Sequence, residues 1–142
     1  MHISVKCSVA VHCLVFIHEY GGEKKVTSEL LSLSSGSNPV TIRTILSALK
    51  RDGIISIKNG TGGATLSCPP GEITLYRICK AIEPDFSSKL IGLHPLPSPL
   101  CPVGRSIHRV LDSSYQKVRD DFCRSLESIT LEDMLVDYNQ TT

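Results

Sequence analysis

Ser35-Gly36-Ser37-Asn38-Pro39-Val40-Thr41-Ile42-Arg43-Thr44-Ile45-Leu46-Ser47-Ala48-Leu49-Lys50-Arg51-Asp52-Gly53-Ile54-Ile55-Ser56-Ile57-Lys58-Asn59-Gly60-Thr61-Gly62-Gly63-Ala64-Thr65-Leu66 spells out a turn, a helix and a hairpin in direct succession. Asn38-Pro39 predicts the helix start, because the Asn oxygen accepts an exposed amide and Pro in the first turn sacrifices no hydrogen bond. Ile42, Ile45, Leu46 and Leu49 then recur at i, i+3, i+4 and i+7, one inward stripe, while Val40, Thr44, Ser47 and Arg51 point the other way with Arg43 on the flank. Lys50 and Arg51 complement the helix C-terminus and Gly53 ends it. Two short apolar runs, Ile54 to Lys58 and Ala64 to Leu66, enclose the Gly-rich tip and predict a hairpin. A phosphate-binding loop is the rival reading of those glycines, but it requires a following Gly-Lys-Ser/Thr and a helix. Here strand follows strand.

Working outward, Ile3, Cys7, Ala10, Leu14 and Ile17 step by four and three, which predicts a largely buried first helix ended by Tyr20-Gly21-Gly22. Thr27 or Ser28 caps a short second helix with Leu30, Leu31 and Leu33 inside. After Pro69-Pro70-Gly71, a fourth helix runs from Thr74 to about Ile82 with Leu75, Ile78 and Ile82 buried. Residues 84 to 102 carry five of the eight prolines, an irregular connector. From Gly104 to about Glu127 the pattern predicts a long helix of roughly 36 Å, striped by Ile107, Val110/Leu111, Ser114, Val118, Phe122 and Leu126. So long a helix with a narrow apolar seam pairs with a second copy, through Ile107, Leu111, Ser114, Val118 and Phe122. Thr130 opens a last helix, with Asp133 completing a capping box. The expected architecture is mainly α with a small β wing: a winged helix-turn-helix over residues 1–83, a Pro-rich connector over 84–103 and dimerisation helices over 104–142.

That architecture reads DNA with the start of its third helix. Ser37, Asn38, Pro39, Val40, Thr41, Arg43 and Thr44 are placed to meet base edges, Arg43 with the fork that matches guanine. Arg51, the wing residues Lys58, Asn59, Gly60 and Thr61, and Lys6 at the start of the first helix are placed for phosphate or minor groove. The net charge is only +1, yet residues 1–66 hold seven basic and four acidic residues, and residues 67–142 hold eight and ten. A basic front and an acidic back suit one anionic partner. The near-neutral total suggests a second reading, a winged module that binds a protein partner without specific DNA binding, and the charge split tells against it. With aromatics at 5% and no Trp, a stacking platform for single strands has little to be built from. No paired carboxylates, nucleophile–base arrangement or cofactor fingerprint points to an enzyme. No signal peptide and no apolar run of about 18 residues appears, so the expected location is the cytoplasm, away from membranes, with the six cysteines reduced.

Several words of the chain resemble the Rrf-two family of bacterial winged-helix transcriptional regulators. They are Ile3-Ser4-Val5-Lys6 with Ala10-Val11-His12, Asn38-Pro39-Val40-Thr41-Ile42-Arg43, Leu49-Lys50-Arg51-Asp52-Gly53-Ile54-Ile55, Gly60-Thr61-Gly62-Gly63-Ala64 and Glu72-Ile73-Thr74-Leu75. His94-Pro95-Leu96-Pro97-Ser98-Pro99-Leu100-Cys101-Pro102-Val103-Gly104 is similar to the YwnA-like branch, whose Pro-rich loop ends in Cys-Pro-x-Gly. The resemblance implies a homodimer that binds palindromic double-stranded operator DNA and acts mainly as a repressor; it names no effector. Cluster-binding members of the family carry three closely spaced connector cysteines. Residues 84–103 hold only Cys101, and an iron–sulfur cluster takes about four ligands, so neither cofactor nor metal is expected. Cys7, Cys13 and Cys79 are expected to pack as small hydrophobes. Cys101, beside a helix start, is the candidate redox sensor.

Overall fold

A computed structural model describes residues 3–58, 60 and 63–141. In chain order the elements are α1 (Val5–Tyr20), α2 (Ser28–Ser35), α3 (Pro39–Arg51), β1 (Ile55–Lys58), β2 (Gly63–Leu66), a 3-10 turn (Pro70–Glu72), α4 (Leu75–Ile82), α5 (Pro102–Glu127) and α6 (Leu131–Thr141). Each of the first four helices is opened by a side chain that accepts an otherwise unpaired amide: Ser4 Oγ from Lys6, Thr27 Oγ1 from Leu30, Asn38 Oδ1 from Thr41 and Thr74 Oγ1 from Arg77. Gly36, at φ 76°, ends α2 in the left-handed conformation and turns the chain toward α3. Two serines of α2 fix that turn, Ser32 Oγ donating to the Ser37 carbonyl at 2.6 Å and Ser35 Oγ accepting the Ser37 amide at 3.2 Å.

The inward stripe of α3, Ile42, Ile45, Leu46 and Leu49, packs in one core with Leu14 and Ile17 of α1, Leu31, Ile54, Ile73 and Ile78. Only Leu31 of the three leucines expected inside α2 is buried: Leu30 is half-buried and Leu33 is 83% exposed, since an eight-residue helix offers the core one narrow stripe. In α4, likewise, Ile78 is buried while Leu75 and Ile82 are half-buried. The wing is an antiparallel pair in register Ile55↔Leu66 to Lys58↔Gly63. Gly63 sits at φ 65°, and a Cβ there would lie 2.7 Å from the Val26 amide nitrogen. That close approach lets Ala64 N donate to the Val26 carbonyl at 3.1 Å, anchoring the wing to the loop after α1.

α5 begins at Pro102 rather than Gly104, because Pro in the first turn is already set for the helix and Cys101 serves as its cap position. The connector is irregular, but Phe86 and Leu90 within it are fully buried. Phe86 meets Tyr76 edge-on at 5.8 Å in a second core with Cys7, Cys79 and Leu126. The 26 residues of α5 span about 39 Å. Its last turns pack on α4 through Phe122, Cys123 and Leu126, whereas Val103, Val110 and Val118 stay exposed. α6 returns to the first core. Thr130 and Asp133 cap it reciprocally, Thr130 N to Asp133 Oδ2 at 2.9 Å and Asp133 N to Thr130 Oγ1 at 3.1 Å. Leu131 N donates to the Ile73 carbonyl at 2.7 Å, and Leu131 and Leu135 are buried beside α1. Among the described residues no helix is long and apolar enough to cross a membrane.

Candidate nucleic-acid interface

Three cations, one from a loop and two from regular elements, meet at one groove. Lys25 before α2, Arg43 on α3 and Lys58 at the end of β1 line a groove of about 390 Å³ between the helices and the wing, with Ser28 and Ser47 on its walls. Glu29 is the acid among them. Its own backbone amide and then the Ser28 hydroxyl hold its carboxyl below the usual range, with the charge of Arg43 adding to the effect. An ionised Glu29 near Arg43 tempers the mutual repulsion of the cations.

The expected contact residues are distributed as follows. Asn38, Pro39, Val40, Arg43 and Thr44 are exposed along the first turns of α3, Val40 at 65%. Asn38 Oδ1 is engaged by the Thr41 amide at 2.8 Å, so its amide NH₂ is the part that faces outward chemistry. Thr44 Oγ1 donates to the Val40 carbonyl at 3.0 Å and keeps lone pairs to accept. Ser37 and Thr41 are half-buried, Ser37 held in the turn through its backbone. Arg51 is exposed at the far end of α3, and Lys58 and Gly60 are exposed on the wing. Lys6 is exposed in the first turn of α1 and does not line the groove. Asn59 and Thr61 lie outside the described residues. The sequence reading passed over Lys25, Ser28 and Ser47. The signal was there in Lys24-Lys25, a basic doublet just ahead of a helix cap: Lys24 Nζ lies 4.9 Å over the Tyr20 ring, while Lys25 turns to the groove.

On α5, Ile107, Leu111 and Phe122 are half-buried and Ser114 and Val118 exposed. Phe122 also packs within its own chain on the second core. Cys101 is exposed and its side chain makes no capping hydrogen bond.

A three-helix head with a two-stranded wing, a basic groove beside its third helix and a long helix at its back defines a winged helix-turn-helix DNA-binding protein. The Rrf2 family model, described as an iron-dependent transcriptional regulator, matches residues 3–137, and the chain belongs to that family. It is 32% identical over 133 residues to YwnA of Bacillus subtilis (strain 168), named as an assigned HTH-type transcriptional regulator, covering 94% of this chain and 96% of YwnA. Among solved structures, a protein from Lactobacillus plantarum assigned as a transcriptional regulator superposes with TM-score 0.79 at 25% identity, over 95% of this chain and 90% of that one. A protein assigned to DNA binding superposes with TM-score 0.73 at 29% identity, over 92% and 98%. The family is one of transcriptional regulators rather than enzymes.

The iron in the family's description needs ligands that the described residues do not bring together. Cys101 stands alone in the connector, Cys7 and Cys79 are buried in the second core, and His108 Nε2 is engaged by the His94 carbonyl at 2.8 Å. Among the described residues no three His, Cys, Asp or Glu side chains converge on one point. The donors among the described residues of one chain do not fit an iron site or cluster.

Proposed function

We propose that the chain is a homodimeric repressor that binds a palindromic operator in the cytoplasm, α3 entering the major groove while the wing rests on the backbone or minor groove. The meeting of Lys25, Arg43 and Lys58 in the groove between α3 and the wing is the observation that carries this reading. Arg43 and the polar groups of Asn38 and Thr44 supply base-edge contacts; Lys6, Lys25, Arg51, Lys58 and Gly60 supply phosphate contacts. Residues 1–83 act as the reading head, 84–103 as a connector and 104–142 as the dimer-forming part, with α6 folded back on the head. A second copy covers the exposed valines of α5, and its symmetry sets two half-sites about one helical turn, ~34 Å, apart. Fluorescence anisotropy on duplexes from the chain's own promoter region tests the reading. Tight, salt-sensitive binding to one palindromic segment is expected, and equal affinity for scrambled duplexes at every salt concentration would overturn it.

A further inference from the structure

Cys7 of α1 and Cys79 of α4, distant in sequence, meet in the second core at 5% and 2% exposure. They pack there as small hydrophobes, and their thiols lie close enough to interact directly. That contact pushes Cys7 upward and holds Cys79 below the ordinary thiol range, because the Cys7 S–H donates to the Cys79 sulfur and stabilises its thiolate. Cys13, on the same helix as Cys7, shows what burial does by itself: its thiol is pushed up to about 12. Both members of the pair also line a cavity of about 260 Å³ between Ser4, Ser8 and Leu126, with exposed Ser8 at its rim. That is room for a few water-sized molecules, at about 30 Å³ each.

We propose that Cys7 and Cys79 form a reversible dithiol–disulfide site for small hydroperoxides admitted by this cavity. Cys79 thiolate attacks one peroxide oxygen; the S–O bond forms, the O–O bond breaks, and the leaving hydroxide or alkoxide takes up a proton. The Cys7 sulfur then attacks the sulfenic acid, the S–S bond forms and the S–O bond breaks, and the departing hydroxide leaves as water with the Cys7 proton. Two thiols lose two electrons and two protons, and the peroxide is reduced to water, or to an alcohol and water. Cys101, the thiol singled out by sequence, is exposed at the N-terminal end of α5, away from this pair. A disulfide draws its sulfurs to about 2.05 Å, closer than hydrogen-bonded thiols sit. The bond would tie α1 to α4 beside Leu126, where α5 is rooted. Any change this makes in operator affinity rests on the function proposed above; the disulfide itself does not.

The test is proteolysis under non-reducing conditions and mass spectrometry of the reduced full-length protein after titration with hydrogen peroxide or tert-butyl hydroperoxide. A Cys7–Cys79 linked peptide, lighter by two hydrogens and restored by dithiothreitol, is expected. The Cys7→Ser protein should instead accumulate a Cys79 sulfenic acid that dimedone labels, and Cys101→Ser should still form the link. Oxidation that stops at Cys101 or Cys123, or joins Cys101 between protomers while Cys7 and Cys79 stay free, overturns the proposal. Because the decisive map uses the unmodified protein, a variant that folds poorly leaves the test intact. Anisotropy on the same samples separates the two readings: a linked protein with unchanged operator affinity removes only the regulatory consequence, and a reduced protein that binds no operator removes only the DNA reading.

Discussion

Arg77 of α4 holds Asp52 at the C-terminal end of α3 by two contacts, Nε to Oδ2 at 3.1 Å and Nη2 to the Asp52 backbone carbonyl at 2.9 Å. The second bond satisfies a carbonyl at the helix end, and together they fix the direction in which the recognition helix leaves the core. Both side chains are about a third or more exposed, 34% and 40%, so solvent screens much of the attraction. Arg77→Ala should lower stability by about 1 kcal/mol in urea unfolding. Arg77→Lys should recover only part of it, since a single ammonium does not reproduce the planar fork. Full recovery by Lys would show that charge alone matters here.

Asn38 has two separable duties. Its Oδ1 caps α3 through the Thr41 amide, so Asn38→Ala should cost about 1 kcal/mol of stability. Asn38→Asp keeps the acceptor and adds a negative charge at a helix N-terminus, where it is favourable. Thermal unfolding of the Asp variant should match the parent while its DNA affinity falls, because the new charge faces phosphate. A parent-like affinity would place Asn38 outside the interface.

Arg43 and the two groove lysines should fail differently. Arg43→Ala should weaken the native operator by about 1 to 3 kcal/mol and relax preference at one base position. Lys25→Ala and Lys58→Ala should weaken operator and scrambled duplex alike, each reducing the slope of log K against log salt by about 1. Salt titrations of all three by anisotropy check the division, and uniform loss with Arg43→Ala would make it a phosphate contact instead.

What the sequence disclosed was local. The Asn38-Pro39 cap, the stripe Ile42, Ile45, Leu46 and Leu49, the hairpin and the Thr130/Asp133 box each lie within a few residues, where periodicity and capping chemistry act. Side-chain pairs that join distant segments leave no such trace. Arg77 with Asp52, Cys7 with Cys79, and Leu131 with Ile73 depend on how helices cross, and nothing in the spacing of either partner announces the other. Leu33 and Phe86 show the same limit from the two sides: a leucine in a short helix is 83% exposed, and a phenylalanine in a proline-rich connector is fully buried. The groove was half readable, since Arg43 and Lys58 follow from the motif while Lys25 enters only through the path of the loop after α1.

The exposed and buried apolar residues of α5 should separate assembly from folding. Val110 and Val118 are 62% and 45% exposed in the single chain, eight residues apart and therefore near one face of the helix at 100° per residue. Leu126 on the same helix is 8% exposed and packs with Phe86, Cys7 and Cys79 of its own chain. A glutamate at either valine leaves the protomer core untouched but puts a charge into a contact with the second copy, where desolvation costs several kcal/mol without a partner. Val110→Glu and Val118→Glu should therefore run as monomers in size-exclusion chromatography with light scattering, unfold near the parent temperature when diluted, and lose operator affinity by orders of magnitude as the second half-site is lost. Leu126→Ala should remain dimeric at low temperature yet lose about 2 to 5 kcal/mol of stability, the cost of a cavity in a packed core. If the valine variants keep the parent's mass at micromolar concentration, the second copy docks on another face and α5 is not the seam.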